Sequence, residues 1–233
     1  MIDINQLSKK YGEQTVLNIT DLQIPSGQTF GLVGNNGAGK TTLFSLILDL
    51  IEPTTGEVKN KGNVVSKDES WKKHTAAFVD EQFLIGYLTP EEYFHFIGGL
   101  RGMKKEAVTT ALEPYKDFFH GEVLGQKKYI RDLSKGNQKK VGIVGTLISN
   151  TDLVILDEPF ANLDPTTQIR LKALLKQEAT NSGKTFLISS HDLQHLTEVC
   201  NRIVVLHKGE MVRDVTTTTA TLKELEQFFQ DQL

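Results

Sequence analysis

The sequence predicts an α/β fold with a mostly parallel sheet, and two observations support this prediction. Apolar strands alternate with helical patterns from about residue 134 to residue 206, which implies βαβ crossovers with helices on both faces of the sheet. Earlier in the chain, a glycine-rich turn joins the apolar segment 29–33 to a helical pattern that follows Lys40. Because ligands collect at the carboxyl ends of parallel strands, functional residues are expected at that edge of the sheet.

Length and composition fit one α/β unit with a subdomain. The chain has 233 residues, and none of its apolar runs reaches the roughly 18 residues of a membrane span. The lone Cys200 excludes an internal disulfide, and the first residues lack the pattern of a secretory signal, so a cytosolic compartment is expected. A net charge of −3 argues against nonspecific binding of nucleic acid, which is therefore not expected as a partner.

The N-terminal part of the chain predicts an antiparallel β subdomain. Short β segments at 16–19 and 29–33 are bounded by Gly12 and by Pro25–Gly27. Apolar residues then recur at helical spacing from Leu43 to Leu50, until Pro53 and Gly56 end the helix. A further core strand is predicted near 76–80.

From about residue 83 the texture of the sequence changes to aromatic-rich helical pieces broken by glycines, which predicts an inserted helical subdomain over about 83–149. After this insertion, the sequence predicts alternating strands and helices, a closing hairpin and a short helix in the tail. We therefore expect a single domain over 1–233, divided into a core with its β subdomain (1–82 and 150–215), the helical insertion, and a tail with a short helix over 216–233. The alternating elements are a helix near 134–149, a strand at 153–156, a helix near 165–180, a strand at 185–188 and a helix near 192–200.

The segment Gly34–Thr42 fits the pattern G-x-x-x-x-G-K-[ST] between a strand and a helix, which predicts a P-loop NTPase core. Lys40 is expected to meet the β and γ phosphates of a nucleoside triphosphate, and the hydroxyl of Thr41 to bind Mg²⁺. A turn without a ligand is the weaker interpretation, because the flanking strand and helix are the context that the motif requires. The expected phosphate-loop residues are Gly34, Asn35, Asn36, Gly37, Ala38, Gly39, Lys40, Thr41 and Thr42.

The apolar strand 153–156 ends in the adjacent carboxylates Asp157 and Glu158. Neighbouring residues of an extended segment point in opposite directions, so the two groups can do different work. Asp157 is expected to hold the Mg²⁺ shell, and Glu158 to polarise the attacking water. The alternative is that this acidic pair merely ends the strand and begins a turn at Pro159.

Three further segments complete an ordered set of motifs: Leu133–Gln138, Asn162–Pro165 and His191. With the phosphate loop and the Asp157–Glu158 pair, they make the chain resemble the nucleotide-binding subunits of ATP-binding cassette (ABC) transporters. The resemblance extends from Tyr11 to about residue 215.

The resemblance implies that the segment 134–138 is a signature loop, which contacts the γ phosphate held by the other subunit of a head-to-tail dimer. Ser134 and Gly136 would supply the anion-binding groups at the N-terminus of a helix. Lys135 and Asn137 depart from the commonest form, Leu-Ser-Gly-Gly-Gln, and Gln138 completes the segment. Helix capping alone is the competing interpretation of Ser134.

The same resemblance assigns adenine stacking to Tyr11, with Val16 in the same pocket. It makes His191 the switch histidine that binds the γ phosphate, although an isolated histidine there would be an ordinary surface residue. It also makes Asn162, Leu163 and Asp164 a loop that communicates across the dimer. Asp164 could instead be only the N-cap of the helix that opens at Pro165.

The loop after residues 78–79 departs from the family pattern. Relatives usually carry there a glutamine that senses Mg²⁺ and the attacking water, and this chain has Asp80, Glu81 and Gln82. Alignment of the strand favours Glu81, whereas Gln82 requires a slip of one residue. The expected metal ligands are therefore Thr41, Asp157 and Glu81, and the expected catalytic residues are Glu158, His191 and Lys40.

Together, the motifs and the resemblance predict the ATP-hydrolysing motor subunit of an exporter, with ATP and Mg²⁺ as cofactors. The expected partners are a second copy (or a related subunit in a heterodimer) and separate transmembrane permease subunits, which would hold the chain at the cytoplasmic face of the membrane. The alternative is a soluble ABC ATPase that acts on a non-membrane partner. A nonhydrolytic scaffold is disfavoured because Glu158 and His191 are both present.

Overall fold

The structure, a computed structural model, describes residues 1–230 and contains two sheets. The smaller sheet is antiparallel, with strand order β2-β1-β4-β5. Its buried positions alternate with exposed ones along β2, so that one face of the strand packs on a core and the other meets solvent. The strands are β1 (Ile2–Tyr11), β2 (Gln14–Ile24), β4 (Thr55–Asn60) and β5 (Asn63–Val64).

The larger sheet has six strands in the order β10-β9-β3-β8-β7-β6. All neighbouring pairs are parallel except β9 and β10, which form the closing hairpin. The mostly parallel α/β core predicted from the sequence is confirmed. These strands are β3 (Thr29–Val33), β6 (Thr75–Phe78), β7 (Leu153–Leu156), β8 (Thr185–Ser190), β9 (Arg202–His207) and β10 (Glu210–Thr216).

Register places the ends of three strands side by side. Val33 at the end of β3 lies opposite Ser190, and Leu156 lies opposite both Phe78 and Ile188. The phosphate loop, the Asp157–Glu158 pair, the Glu81 segment and His191 all follow these ends, so the sheet delivers them to one edge.

Eight α-helices occur within residues 1–230. The fifth, which follows Ser134, joins the helical insertion to the sheet, because Gly142 and Gly145 let it approach Phe78 and Tyr93 closely; a Cβ atom at either glycine would overlap an aromatic ring. The helices are α1 (Lys40–Ile47), α2 (Pro90–Leu100), α3 (Lys105–Leu112), α4 (Lys116–Phe119), α5 (Lys135–Leu147), α6 (Pro165–Ser182), α7 (Leu193–Val199) and α8 (Thr221–Gln230).

Some predicted boundaries were wrong. β1 and β2 are 10 and 11 residues long, rather than short segments, because their solvent faces are polar and hide the strand pattern. The tail was predicted over 216–233 with a short helix, and that helix runs over Thr221–Gln230, while Thr216 still belongs to β10. Residues 231–233 of that prediction lie outside the described part. Within residues 1–230, none of the helices has both the length and the apolar character that a membrane crossing requires.

Candidate active site

The phosphate loop leaves β3 at Val33 and enters α1 at Lys40. Gly39 has a φ of +108°, which side-chain-bearing residues rarely adopt. A Cβ atom on Gly34 would lie 2.3 Å from the carbonyl oxygen of Leu206, so the loop is pressed against the end of β9. The glycines are therefore needed at these two positions for backbone conformation and for close approach.

Lys40 is buried at the base of this loop. Its Nζ donates a hydrogen bond to the carbonyl oxygen of Gly34 at 2.6 Å and lies 3.2 Å from Oε1 of Glu158. The ammonium group thus connects the two sequence motifs that were predicted to form one site.

Asp157 follows β7 and is turned into the protein, where only 5% of its surface is exposed. Oδ2 accepts a hydrogen bond from the hydroxyl of Thr41 at 2.5 Å, and Oδ1 accepts one from the hydroxyl of Ser189. Burial raises the pKa of Asp157 above its ordinary value, although both hydrogen bonds act in the opposite direction.

Glu158 and Asp157 contact different groups, as predicted, but the extended backbone assumed in that prediction is wrong, because Glu158 lies in the left-handed region. Its backbone has a φ of +46°, and its N–H donates to Oγ of Ser189 at 2.8 Å. Oε2 lies 2.9 Å from Nδ1 of His191, and Oε1 faces Lys40. The carboxylate is therefore held between an ammonium group and an imidazole.

The donor set at Thr41 and Asp157 fits Mg²⁺. The hydrogen-bond partners of the Asp157 carboxylate are neutral hydroxyl groups, so a nearby cation would favour its charged form. Among residues 1–230, no three or more His, Cys, Asp or Glu side chains form a metal-binding cluster. Such a cluster is not required, because Mg²⁺ in phosphate sites is bound by one or two carboxylates together with water and phosphate oxygens.

Glu81 and Gln82 both line a cleft of about 600 Å³ that also reaches Thr41, Asp157 and Glu158. The Glu81 side chain is largely buried and lies 3.3 Å from Nζ of Lys139, whereas Gln82 is exposed. Oε1 of Glu81 is buried and accepts no hydrogen bond from the described residues. This geometry favours Glu81 over Gln82 as the residue that faces the metal position.

Tyr11 and Val16 line a second pocket, of about 270 Å³, together with phosphate-loop residues and Glu158. Tyr11 is 57% exposed at this pocket, an arrangement that suits stacking on a flat base. Asn35 and Ala38 are turned differently: the carbonyl of Asn35 accepts a hydrogen bond from the Ala38 N–H, and neither residue is in the pocket lining. The phosphate-loop residues in the lining are Asn36, Gly37, Gly39, Lys40, Thr41 and Thr42.

The segment 134–138 lies elsewhere. Ser134 is exposed and its hydroxyl accepts a hydrogen bond from the Asn137 N–H, so it caps α5. Within the described chain, none of residues 134–138 lines the Tyr11 pocket. Lys135 is exposed, while Gln138 is buried and donates to the carbonyl of Leu133.

The segment 162–164 lies against the start of α5, since a Cβ on Gly136 would be 3.3 Å from the carbonyl oxygen of Asn162. Asp164 caps α6 by accepting a hydrogen bond from the Thr167 N–H at 3.0 Å. The hydroxyl of Thr167 also donates to Oδ2 of Asp164, and these two bonds, the hydroxyl first, lower the pKa of Asp164. Leu163 is buried, so the loop is anchored on one side.

Sequence reasoning missed two residues of the site. Ser189 is fully buried and contacts both Asp157 and Glu158, and Lys139 donates to the backbone carbonyl of Glu158 at 2.9 Å. A serine that ends an otherwise apolar strand was a usable signal for the first. Lys139 gave no such signal, because paired lysines are usually solvated.

Comparison with known proteins agrees with this geometry. A family model described as ABC transporter matches residues 17–161. The chain belongs to the ABC transporter family. YhaQ of Bacillus subtilis, an uncharacterized ABC transporter ATP-binding protein, is 34% identical over 229 residues, which cover 98% of this chain and 74% of YhaQ. BcrA of Enterococcus faecalis, a bacitracin transport ATP-binding protein, is 33% identical over 217 residues, which cover 92% of this chain and 69% of BcrA.

A solved structure of the ATP-binding cassette MJ0796, a dimer in a post-hydrolysis state bound to ADP and Pi, matches with a TM-score of 0.82 and 25% identity. The match covers 94% of this chain and 99% of that one. The protein is thus an ATP-binding subunit of the ABC transporter family and an ATPase.

Proposed function

We propose that this ABC subunit is the motor of a membrane exporter and works as a head-to-tail dimer that encloses ATP between two copies. One observation carries the proposal: Lys40, Thr41 and Glu158 line one pocket, whereas Ser134 is exposed outside it. Asp157 bonds to Thr41 and His191 to Glu158 at the same place. A second copy would bring its own Ser134 and the N-terminus of its α5 to the γ phosphate. The chain carries both halves, which favours a homodimer over a heterodimer.

Before hydrolysis, the phosphates of ATP replace Glu158 as the contact of the Lys40 ammonium group. The phosphates of ATP compete with Glu158 for the ammonium group, which lies 3.2 Å from Oε1. Once Lys40 binds phosphate oxygens, Glu158 is free to accept a hydrogen bond from the attacking water. His191, 2.9 Å from Oε2, keeps the carboxylate oriented.

Charge that develops on the γ phosphate is neutralised by groups already in place: Lys40, the N–H groups of the phosphate loop, and Ser134 of the second copy. Thr41, Asp157 and Glu81 would hold Mg²⁺, which supplies further neutralisation of the β and γ phosphate oxygens. The work of the site is positioning and electrostatics.

A membrane partner is supported by the cleft that contains Glu81. Leu50 and Phe83, which are 53% and 64% exposed, line it together with Asp157 and Glu158. Exposed apolar side chains that share a cleft with catalytic carboxylates suit a protein partner whose movement is coupled to hydrolysis. We assign this surface to separate membrane-spanning subunits, which would hold the chain at the cytoplasmic face of the membrane.

The direction of transport rests on the resemblance of Ser134–Gly136 and Asn162–Pro165 to exporter ATPases. BcrA, whose name links it to bacitracin transport, is consistent with a transport role. No nucleic acid partner is proposed.

The test of the motor uses Glu158→Gln. Without the carboxylate that polarises water, turnover should fall by about 10²- to 10⁴-fold, and Mg-ATP should trap a dimer. Phosphate release gives the rate, and light scattering on a sizing column gives the mass. A monomer whose turnover is undiminished at any dilution would contradict the proposal.

The partner is tested by capture from detergent-solubilised membranes with the tagged chain. We expect one polytopic membrane protein, lost in Phe83→Asp because the substitution puts a charge into the apolar contact. Ile169→Asp is the matched control, since Ile169 is equally exposed at 64% but does not line the cleft. Capture of ribosomes or DNA instead would favour the soluble ABC ATPase.

A further inference from the structure

Lys139 is a buried lysine on α5 that lies between two parts of the active site. Only 5% of its surface is exposed. Its Nζ donates to the carbonyl oxygen of Glu158 at 2.9 Å and lies 3.3 Å from Oε1 of Glu81. Because α5 begins at Lys135, its first turn carries most of residues 134–138, the signature segment that the resemblance to ABC ATPases implies.

Lys139 contacts Glu158 at a residue whose backbone conformation is strained. Glu158 has a φ of +46°, a conformation that costs a non-glycine residue energy unless its surroundings hold it. Ser189 holds the N–H of Glu158, and Lys139 holds its carbonyl oxygen. Both peptide contacts therefore support the backbone conformation in which the carboxylate lies between Lys40 and His191.

The contact with Glu81 is an ion pair in a poorly hydrated place. The Glu81 side chain is 15% exposed, and its buried Oε1 accepts no hydrogen bond from the described residues. A buried carboxylate without a nearby cation is costly, so the contact with Lys139 stabilises Glu81 in its position at the cleft. The unbonded lone pairs of Oε1 stay available for a second cation.

We infer that Lys139 is a positioning residue for ATP hydrolysis: it ties the Glu81 side chain and the Glu158 backbone to the helix that begins with the signature segment. When a phosphate binds at the start of α5 and the helix shifts, Nζ of Lys139 shifts with it. The Glu81 side chain and the Glu158 backbone then change position together. This inference rests on the roles proposed above for Glu81 and Glu158.

The test compares Lys139→Gln with Lys140→Gln. Lys140 is the matched control because it is the next residue of α5, is 4% exposed, and pairs instead with Glu122 at 3.0 Å. We expect Lys139→Gln to lower kcat by about 10- to 100-fold, since small misplacements of catalytic groups cost this much, with the KM for ATP nearly unchanged. The Mg²⁺ concentration for half-maximal rate should fall severalfold, because the unpaired Glu81 attracts the metal more strongly.

A second readout needs neither metal nor nucleotide. In EDTA, the urea midpoint of unfolding should be lower for Lys139→Gln than for wild type, and should recover in Glu81→Gln/Lys139→Gln, where no charge is left unpaired. Lys139→Arg keeps a cation at this position. It should fold, retain the wild-type Mg²⁺ dependence and lose less kcat than Lys139→Gln, so the inference remains testable if the glutamine variant is unstable.

Equal kcat, Mg²⁺ dependence and urea midpoint in Lys139→Gln and Lys140→Gln would overturn the inference. Glu158→Gln in the same series separates the two proposals. If Glu158→Gln abolishes turnover while Lys139→Gln does not lower it, only the role of Lys139 fails. If Glu158→Gln itself retains turnover, the proposed catalytic mechanism fails.

Discussion

The phosphate loop and the signature segment both contain glycine and both begin a helix, yet their side chains have different bonding partners. Around the phosphate loop, Lys40, Thr41 and Asp157 are joined by hydrogen bonds and ion pairs, and a Cβ at Gly34 would overlap the backbone. At the signature segment, Ser134 is exposed and bonds only to its own helix among the described contacts.

A helix N-terminus with small polar residues can therefore form a complete anion-binding site, or only one part of a site that another subunit completes. The phosphate loop gathers its charged partners from strand ends of the same chain. The signature segment has no such partners within residues 1–230, which is the geometry expected of a group that acts on another subunit.

The largest effect is expected when two inactive variants, one in the phosphate loop and one in the signature segment, are mixed so that they form dimers. Lys40→Met and Ser134→Glu should each lose at least about 100-fold in turnover, because each removes charge stabilisation from every site. Mixed together, they should regain about one quarter of the wild-type rate, since half of randomly paired dimers are mixed and each mixed dimer has one intact site of two. Phosphate release at equal total protein measures the recovery.

Two controls accompany that mixture. The double variant Lys40→Met/Ser134→Glu, mixed one to one with wild type, leaves no intact site in a mixed dimer. Its mixture should therefore give no more than about one quarter of the wild-type rate at equal total protein, which is the contribution of the pure wild-type dimers alone. Absence of any recovery in the first mixture would mean that Ser134 does not complete a site held by another chain.

The packing of the phosphate loop and of the signature segment can be compared through the free energy of unfolding of glycine variants. Gly34→Ala should lower the free energy of unfolding by about 1–3 kcal/mol, because its Cβ would lie 2.3 Å from a backbone oxygen. Gly136→Ala should change it by less than about 1 kcal/mol, since its nearest neighbour would be 3.3 Å away and alanine favours a helix. Urea unfolding of both variants decides the point, with turnover measured alongside. An equal loss of stability would show that the signature segment is as tightly packed as the phosphate loop.

The smallest effect is expected from the charge of Asp157. Its raised pKa means that the folded state binds more protons than the unfolded state between the ordinary value of 3.8 and the raised value. Stability from this group therefore falls as pH rises through that interval, and the ionised carboxylate is unfavourable at neutral pH. Asp157→Asn should raise the Tm of the metal-free protein at pH 7, by about 2–4 °C for each kcal/mol gained.

That gain should shrink as the pH is lowered toward 4, where the wild-type carboxyl becomes protonated. Calorimetry in EDTA across this range measures it. For comparison, Ser134→Ala should lower stability by about 1 kcal/mol through loss of a helix cap, with no such pH dependence. A lower Tm for Asp157→Asn at pH 7 would contradict the expected sign.

Much of the site was predictable because its signals are local. The spacing of Gly34, Gly39 and Lys40 fixes a phosphate loop, and an apolar strand that ends in two carboxylates predicts Asp157 beside Thr41. The resemblance to the family assigned Glu158 and His191 to the same site, and the structure places the two side chains 2.9 Å apart. Ser189 and Lys139 were missed, because a lone serine or a lysine pair has many ordinary surface roles.

The sequence by itself determined the elements whose information lies within a few neighbouring residues: the glycine loop that only particular φ values allow, and the strand–helix alternation that requires a parallel sheet. The packing of distant segments decided that Ser134 lies outside the Tyr11 pocket of its own chain while Lys139, on the same helix, lines the cleft that contains Glu81. That outcome depends on how closely α5 packs on β6 through Gly142 and on α2 through Gly145. Such packing joins residues far apart in the chain, so no short stretch of sequence specifies it.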